Sequence, residues 1–407
     1  MKKIARLFLP GENKAAYADA GDFLRVASIA FIAWFHIWQQ SWLDPNIYIS
    51  GRRINLYPLV SCGYMLVDLM LLLSGFLLTL GYLNGRNRRT GDFYLARASR
   101  IFPSYYLTVF IMFFAYALPL GLFWNAKQMW GDLLSHLSFT HVFFYDYYIG
   151  TKLNAALWTV AVELHFYLLF PLIARIFKKR PVHTYFGMVL LGVLAKMILV
   201  FFVKDTGIYF NRLPAMMDVY ANGMLAAYIY KTLADKVKKQ RAWDAWLCTA
   251  LTVLSAVMIY KIIHYQQVHH ASGTENIRFG QMLLRFPLSL SGAVFLVCGS
   301  RSIFLLRKLF SNRVILFLSG ISFNFYMWHQ FLALRLKAWR IPPYTGDEPF
   351  REAQQPWQLL YTLACFAFAI IVAIALTYLV EKPCAKWIKQ MADRRRRKAI
   401  EGQQGVK

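Results

Sequence analysis

FLRVASIAFIAWFHIW, Phe23 to Trp38, is apolar apart from Arg25, Ser28 and His36. With its flanks to about residue 43 it is long enough to cross a hydrocarbon core as a helix, which takes roughly 20 residues. Arg25 and His36 are eleven residues apart. Eleven residues make three helical turns plus roughly 20°, so both side chains leave one face of that helix, about 16 Å apart along its axis. Neither can face lipid, and an ionisable residue kept inside a span is by default a candidate functional site.

The rest of the chain repeats the apolar pattern. Of its 407 residues 58% are hydrophobic and 16% charged, against roughly 25% charged in an ordinary soluble domain. About ten apolar runs are long enough to span a bilayer. They fall near 22–43, 58–83, 101–124, 154–177, 183–203, 213–233, 243–262, 280–300, 314–334 and 357–381. The expected fold is therefore all-α, a polytopic membrane protein of about ten transmembrane helices. The semi-polar, aromatic-rich segment 126–153 has room for a short re-entrant or interfacial helix. With no internal repeat, 22–383 reads as one membrane domain, between an N-terminal segment 1–21 and a basic tail 384–407.

The net charge of +26 would point to nucleic acid in a soluble protein. Its distribution says otherwise. If the N-terminus starts inside, 31 of the 46 lysines and arginines fall in alternate, cytoplasmic segments, and Arg25, Lys196 and Arg285 fall within spans. That is the positive-inside pattern. It puts both termini in the cytoplasm, in a multi-pass protein of the plasma membrane that touches anionic lipid. No nucleic-acid partner is expected. The first apolar run suits a retained span better than a cleavable signal. The five cysteines show no metal spacing, so no metal is expected.

Depth can be assigned to the polar residues. Arg25 lies near the inner end of the first span and His36 in its outer half. Asp68 is near mid-depth on the second span, with Ser74 and Gly75 lower down. Trp158 and Glu163 are in the outer half of the fourth, and Tyr326 to His329 in the outer half of the ninth. His36, Asp68, Glu163 and His329 are thus expected to converge at mid-to-outer depth. A buried histidine beside a carboxylate is a recurring general base, contributing typically about 10²–10⁴-fold. The same groups also suit plain interhelical hydrogen bonding.

Seven blocks, in order, carry a resemblance: Arg25 with His36; VDLMLLLSGFLLT (67–79); RASRIFPSYY (97–106); LWTVAVELHFYLLFPLI (157–173); NRLPAMMDVYANGMLAAY (211–228); ISFNFYMWHQF (321–331); and EKP (381–383). Together they resemble the acyltransferase 3 family of integral-membrane O-acyltransferases. The resemblance implies transfer of an acyl group, usually acetyl, from cytoplasmic acyl-CoA to a hydroxyl of an extracytoplasmic or lipid-linked glycan. It implies CoA-phosphate binding by Arg97 and Arg100, whose planar forks suit phosphate. Arg25 would hold the CoA or guide its pantetheine arm, along a path lined by Ser74 and Gly75. His36 would be the general base, oriented by Glu163 or Asp68. Trp158, Arg212, Tyr326 and His329 would contact substrate, with Trp158, Tyr326 or His329 as oxyanion donor.

Some positions depart from the family pattern. Met70 and Leu71 replace the more usual Phe, Arg86 adds charge to an inner loop, and His165 stands where Glu or Gln is usual. Two positions from Glu163, His165 faces elsewhere on the helix. Many relatives append an extracytoplasmic hydrolase-like domain; this chain is expected to work alone or with a separate partner. The rival reading is a transporter of a glycan precursor or organic acid, which ten spans with charged residues at mid-depth also fit. The outer aromatics Trp124, Trp130, Phe143, Phe144, Tyr145, Tyr147 and Tyr148 suit either sugar stacking or an interfacial belt.

Overall fold

Apolar runs closed by polar caps, prolines and glycines fold as a bundle of helices. A computed structural model describes residues 18–86, 89–237, 240–346 and 356–404. The expected segment 1–21 lies almost wholly outside them, as do Arg88, Lys238 and Lys239. In chain order, helix α1 is Asp19–Ser41; a small antiparallel hairpin pairs β1 (Ile47–Ile49) with β2 (Arg52–Ile54); α2 is Tyr57–Ser61 and α3 Val67–Leu83. Helix α4 (Thr90–Phe110) continues as π-helix over Ile111–Ala117; α5 is Ala126–Leu137 and α6 Tyr145–Tyr148. Then come α7 (Trp158–Lys179), α8 (Pro181–Phe202), α9 (Leu213–Lys236), α10 (Ala242–His269) and α11 (Thr274–Gly299). The chain closes with α12 (Phe304–Phe310), α13 (Arg313–Ala338), α14 (Trp357–Leu376) and α15 (Lys382–Gln404).

Eight of the described helical segments are long and apolar enough to cross a membrane. Helices α9 and α13, of 24 and 26 residues, match them in length but are more polar. Each packs among the others, α9 against α3, α8 and α11, and α13 against α1 and α14. Their polar residues, such as Asp218, Asn222, Asn324 and His329, are buried, where helices rather than lipid surround them. Helix α4 differs from the expected 101–124: it starts at Thr90, so Arg97 and Arg100 sit within a helix rather than ahead of one. Within its polar half Phe93 and Ser99 are buried. In the segment 126–153, α5 is a 12-residue helix, too short to span.

Helix α3 forms the centre, with Val67, Asp68, Leu69 and all of Leu71–Phe76 buried. It crosses α9 backbone to backbone. A Cβ on Gly223 would lie 2.1 Å from the Leu72 carbonyl oxygen, and one on Gly75 would lie 2.7 Å from that of Tyr220. Small residues permit such approach between helices. Two buried ion pairs tie the same region. Arg285 of α11 donates through Nε to both carboxylate oxygens of Asp68 at 3.2 and 3.3 Å, and Lys196 of α8 pairs with Asp218 of α9. Unpaired, either charge would be costly in an apolar interior.

Candidate functional site

Two cavities open beside α1, one toward each end. The first, about 350 Å³, is lined by Arg25 of α1, Ser74 of α3, Arg86 after α3, Arg97 and Arg100 of α4, and Glu163 and Tyr167 of α7. Four guanidinium groups share this cavity with the carboxylates of Asp22 and Glu163, an excess of cationic planar donors of the kind that suits an anion. Arg97 is held over the rings of Phe93 and Tyr167, each 5.9 Å from its guanidinium carbon, and its buried Nε has no hydrogen-bond partner in the structure. Glu163 and Tyr167 are one helical turn apart and face the same way. The Tyr167 hydroxyl donates to Glu163 Oε1 at 2.5 Å and lies 3.3 Å from the Ser74 hydroxyl.

The second cavity, about 700 Å³, contains His36 and Gln39 from the far end of α1, together with Tyr148, Trp158 and Asn211. The Nδ1 of His36 is 3.3 Å from Gln39 Oε1, and its ring centroid is 5.3 Å from that of His329. His329 donates from Nδ1 to the Tyr326 carbonyl at 2.6 Å; its buried Nε2 has no partner in the structure. Asn154 sets the level of Trp158 against α13: its side chain caps the turn before α7 and donates to the Met327 carbonyl at 2.7 Å. Val67 and Tyr326 line both cavities.

Arg25, Arg97 and Arg100 thus share one cavity with Ser74, and His36 lies with Trp158, Tyr326 and His329. The two carboxylates do not join His36. Glu163 lies in the arginine cavity, bound to Tyr167, and Asp68 is taken by Arg285. Gly75 faces the Tyr220 backbone of α9 rather than a cavity. Arg212 lines neither cavity; it donates to the carbonyls of Val142 and Phe143 and stacks on Tyr209 at 4.5 Å. His165 is placed 3.1 Å from the Phe139 carbonyl, away from both cavities. Tyr167 and Gln39 went unnoticed in the sequence. The spacing of four residues from Glu163 was the available signal for Tyr167, and three from His36 for Gln39.

An acyltransferase domain model, that of the acyltransferase 3 family, matches residues 20–378, and the chain belongs to that family. Among curated proteins it is similar to Nodulation protein 10 of Rhizobium leguminosarum bv. viciae, 25% identical over 183 residues. The match covers 41% of this chain and 47% of that protein, so the chain spans about half the length of the relative it matches. No solved structure matches.

Proposed function

We propose that the chain moves an acyl group, acetyl first among candidates, from acyl-CoA in the arginine cavity to a hydroxyl of an extracytoplasmic or lipid-linked glycan in the histidine cavity. The observation that carries this reading is the pair of cavities at opposite ends of α1 with Val67 and Tyr326 as common walls. It fits a plasma-membrane protein of ten spans with both termini in the cytoplasm, which turns the arginine cavity inward. Arg25, Arg86, Arg97 and Arg100 then meet the CoA phosphates, and the thioester extends toward Tyr326.

His36 is the general base. With Gln39 Oε1 accepting from Nδ1, the imidazole keeps Nε2 for the acceptor's proton. The acceptor oxygen bonds to the thioester carbon, the carbon–sulfur bond breaks, and CoA leaves as a thiolate that takes a proton on the inner side. Glu163 and Tyr167 face that end of the reaction rather than the imidazole, a change from the role first expected of Glu163. Asp68 keeps a structural role. Tyr326, Trp158 and His329 surround the place where the oxyanion forms.

Proteoliposomes carrying the full chain, supplied with radiolabelled acetyl-CoA and a glycan pool, test this. Wild type should release CoA and label the glycan, and His36→Ala should lose at least about 10²-fold in turnover while still binding acetyl-CoA. Near-normal turnover in that variant would remove His36 from the chemistry. Absence of both CoA binding and CoA turnover in wild type would favour the transporter instead.

A further inference from the structure

The histidine cavity is large for a single hydroxyl, and its mainly aromatic and apolar walls carry a set of side-chain amides. About 700 Å³ falls within the roughly 300–1,000 Å³ of small-molecule sites. Five side-chain carboxamides line it: Gln39, Asn211, Gln267, Gln281 and Gln330. Gln281 and Asn211 are buried, and Asn211 is held in place, its Oδ1 accepting from Arg285 at 2.6 Å and its Nδ2 donating to the Tyr148 hydroxyl at 3.1 Å, which leaves one amide hydrogen for a ligand. A carboxamide offers two donors and an acceptor side by side, matching the alternating donor and acceptor roles of neighbouring hydroxyls on a sugar ring. Trp158 and Tyr148 add flat apolar faces next to His36, as a pyranose ring needs.

Charge is almost absent. Among the described lining residues, Arg278 is the one lysine, arginine, aspartate or glutamate. It is already neutralised: its Nη1 donates to Asp205 Oδ1 at 2.8 Å and also to Glu275. Asp205 stays ionised, because the Gly207 amide and then Arg278 hold its carboxyl below the usual range. Behind Asn211, the second nearby cation, Arg285, is matched by Asp68. A uronate or phosphorylated sugar entering here would lose water without gaining a cation, which is unfavourable.

We infer that the histidine cavity binds an uncharged saccharide of a few pyranose rings and rejects acidic ones, the side-chain amides reading its hydroxyls. This rests on the acyltransfer reading for the place of chemistry, but binding can be measured without it. The full chain in lipid nanodiscs, with no acyl-CoA present, is titrated with maltotriose and with trigalacturonate under saturation-transfer NMR. Maltotriose should bind at least tenfold tighter. Asp205→Asn with Glu275→Gln, both at exposed positions, frees Arg278 and should tighten trigalacturonate about tenfold while leaving maltotriose unchanged. Equal or tighter binding of trigalacturonate to wild type overturns the inference, as does binding of neither sugar. If maltotriose binds and CoA turnover is absent with every acceptor, the inference stands and the acyltransfer reading fails.

Discussion

Tyr167 holds Glu163 through a single hydroxyl at 2.5 Å, in a cavity otherwise dominated by cations. Replacing it with Phe keeps the ring beneath Arg97 and removes that contact together with the longer one, 3.3 Å, to the Ser74 hydroxyl. A lost hydrogen bond to a charged group is worth about 1.5–3 kcal/mol, so Tyr167→Phe should lower turnover by roughly 10- to 100-fold, read as CoA release at saturating donor. The Asp68–Arg285 pair makes a different forecast. Arg285→Leu strands a fully buried carboxylate and should cost about 3–5 kcal/mol of stability, measurable as lost resistance to denaturant in detergent. Asp68→Leu added to it should restore part of that loss. Little of this pairing was legible from the chain, since Asp68 and Arg285 are 217 positions apart. Depth along a helix follows from counting residues, whereas which neighbour a side chain meets depends on helix rotation and packing. Hence Glu163, expected in the outer half beside His36, lies instead in the cavity of Arg25, Arg97 and Arg100, three arginines whose sequence positions put Arg25 one step deeper than the other two.

At the scale of elements, apolar runs located the helices well because hydrocarbon-length segments leave few alternatives. The miss at the start of α4 arose because its first turns are polar outward and apolar inward, a pattern that whole-run hydropathy averages away. Helices α9 and α13 show the converse, being polar yet embedded, and only their neighbours explain them. The crossing of α3 and α9 gives the sharpest element-level forecast. Gly223→Val would push side-chain atoms into the Leu72 carbonyl, and folded protein should be largely lost on size-exclusion chromatography. Gly187→Ala on α8, where a Cβ meets nothing within 4 Å, should instead be neutral or gain up to about 1 kcal/mol.

For the molecule as a whole, the two cavities leave only a thin partition where the bundle would otherwise be solid. Any protein so hollowed from both ends must also act as an electrical insulator, because water reaching Tyr326 from each side would let protons run down their gradient. Tyr326 lines both cavities, so we expect its bulk to serve as a plug as well as a wall. Tyr326→Ala, reconstituted into vesicles loaded with a pH-sensitive dye, should speed decay of an imposed pH gradient several-fold over wild type. An unchanged decay would mean that other side chains close the septum without it. In an energised membrane the leaky form would dissipate a gradient that has to be continually restored.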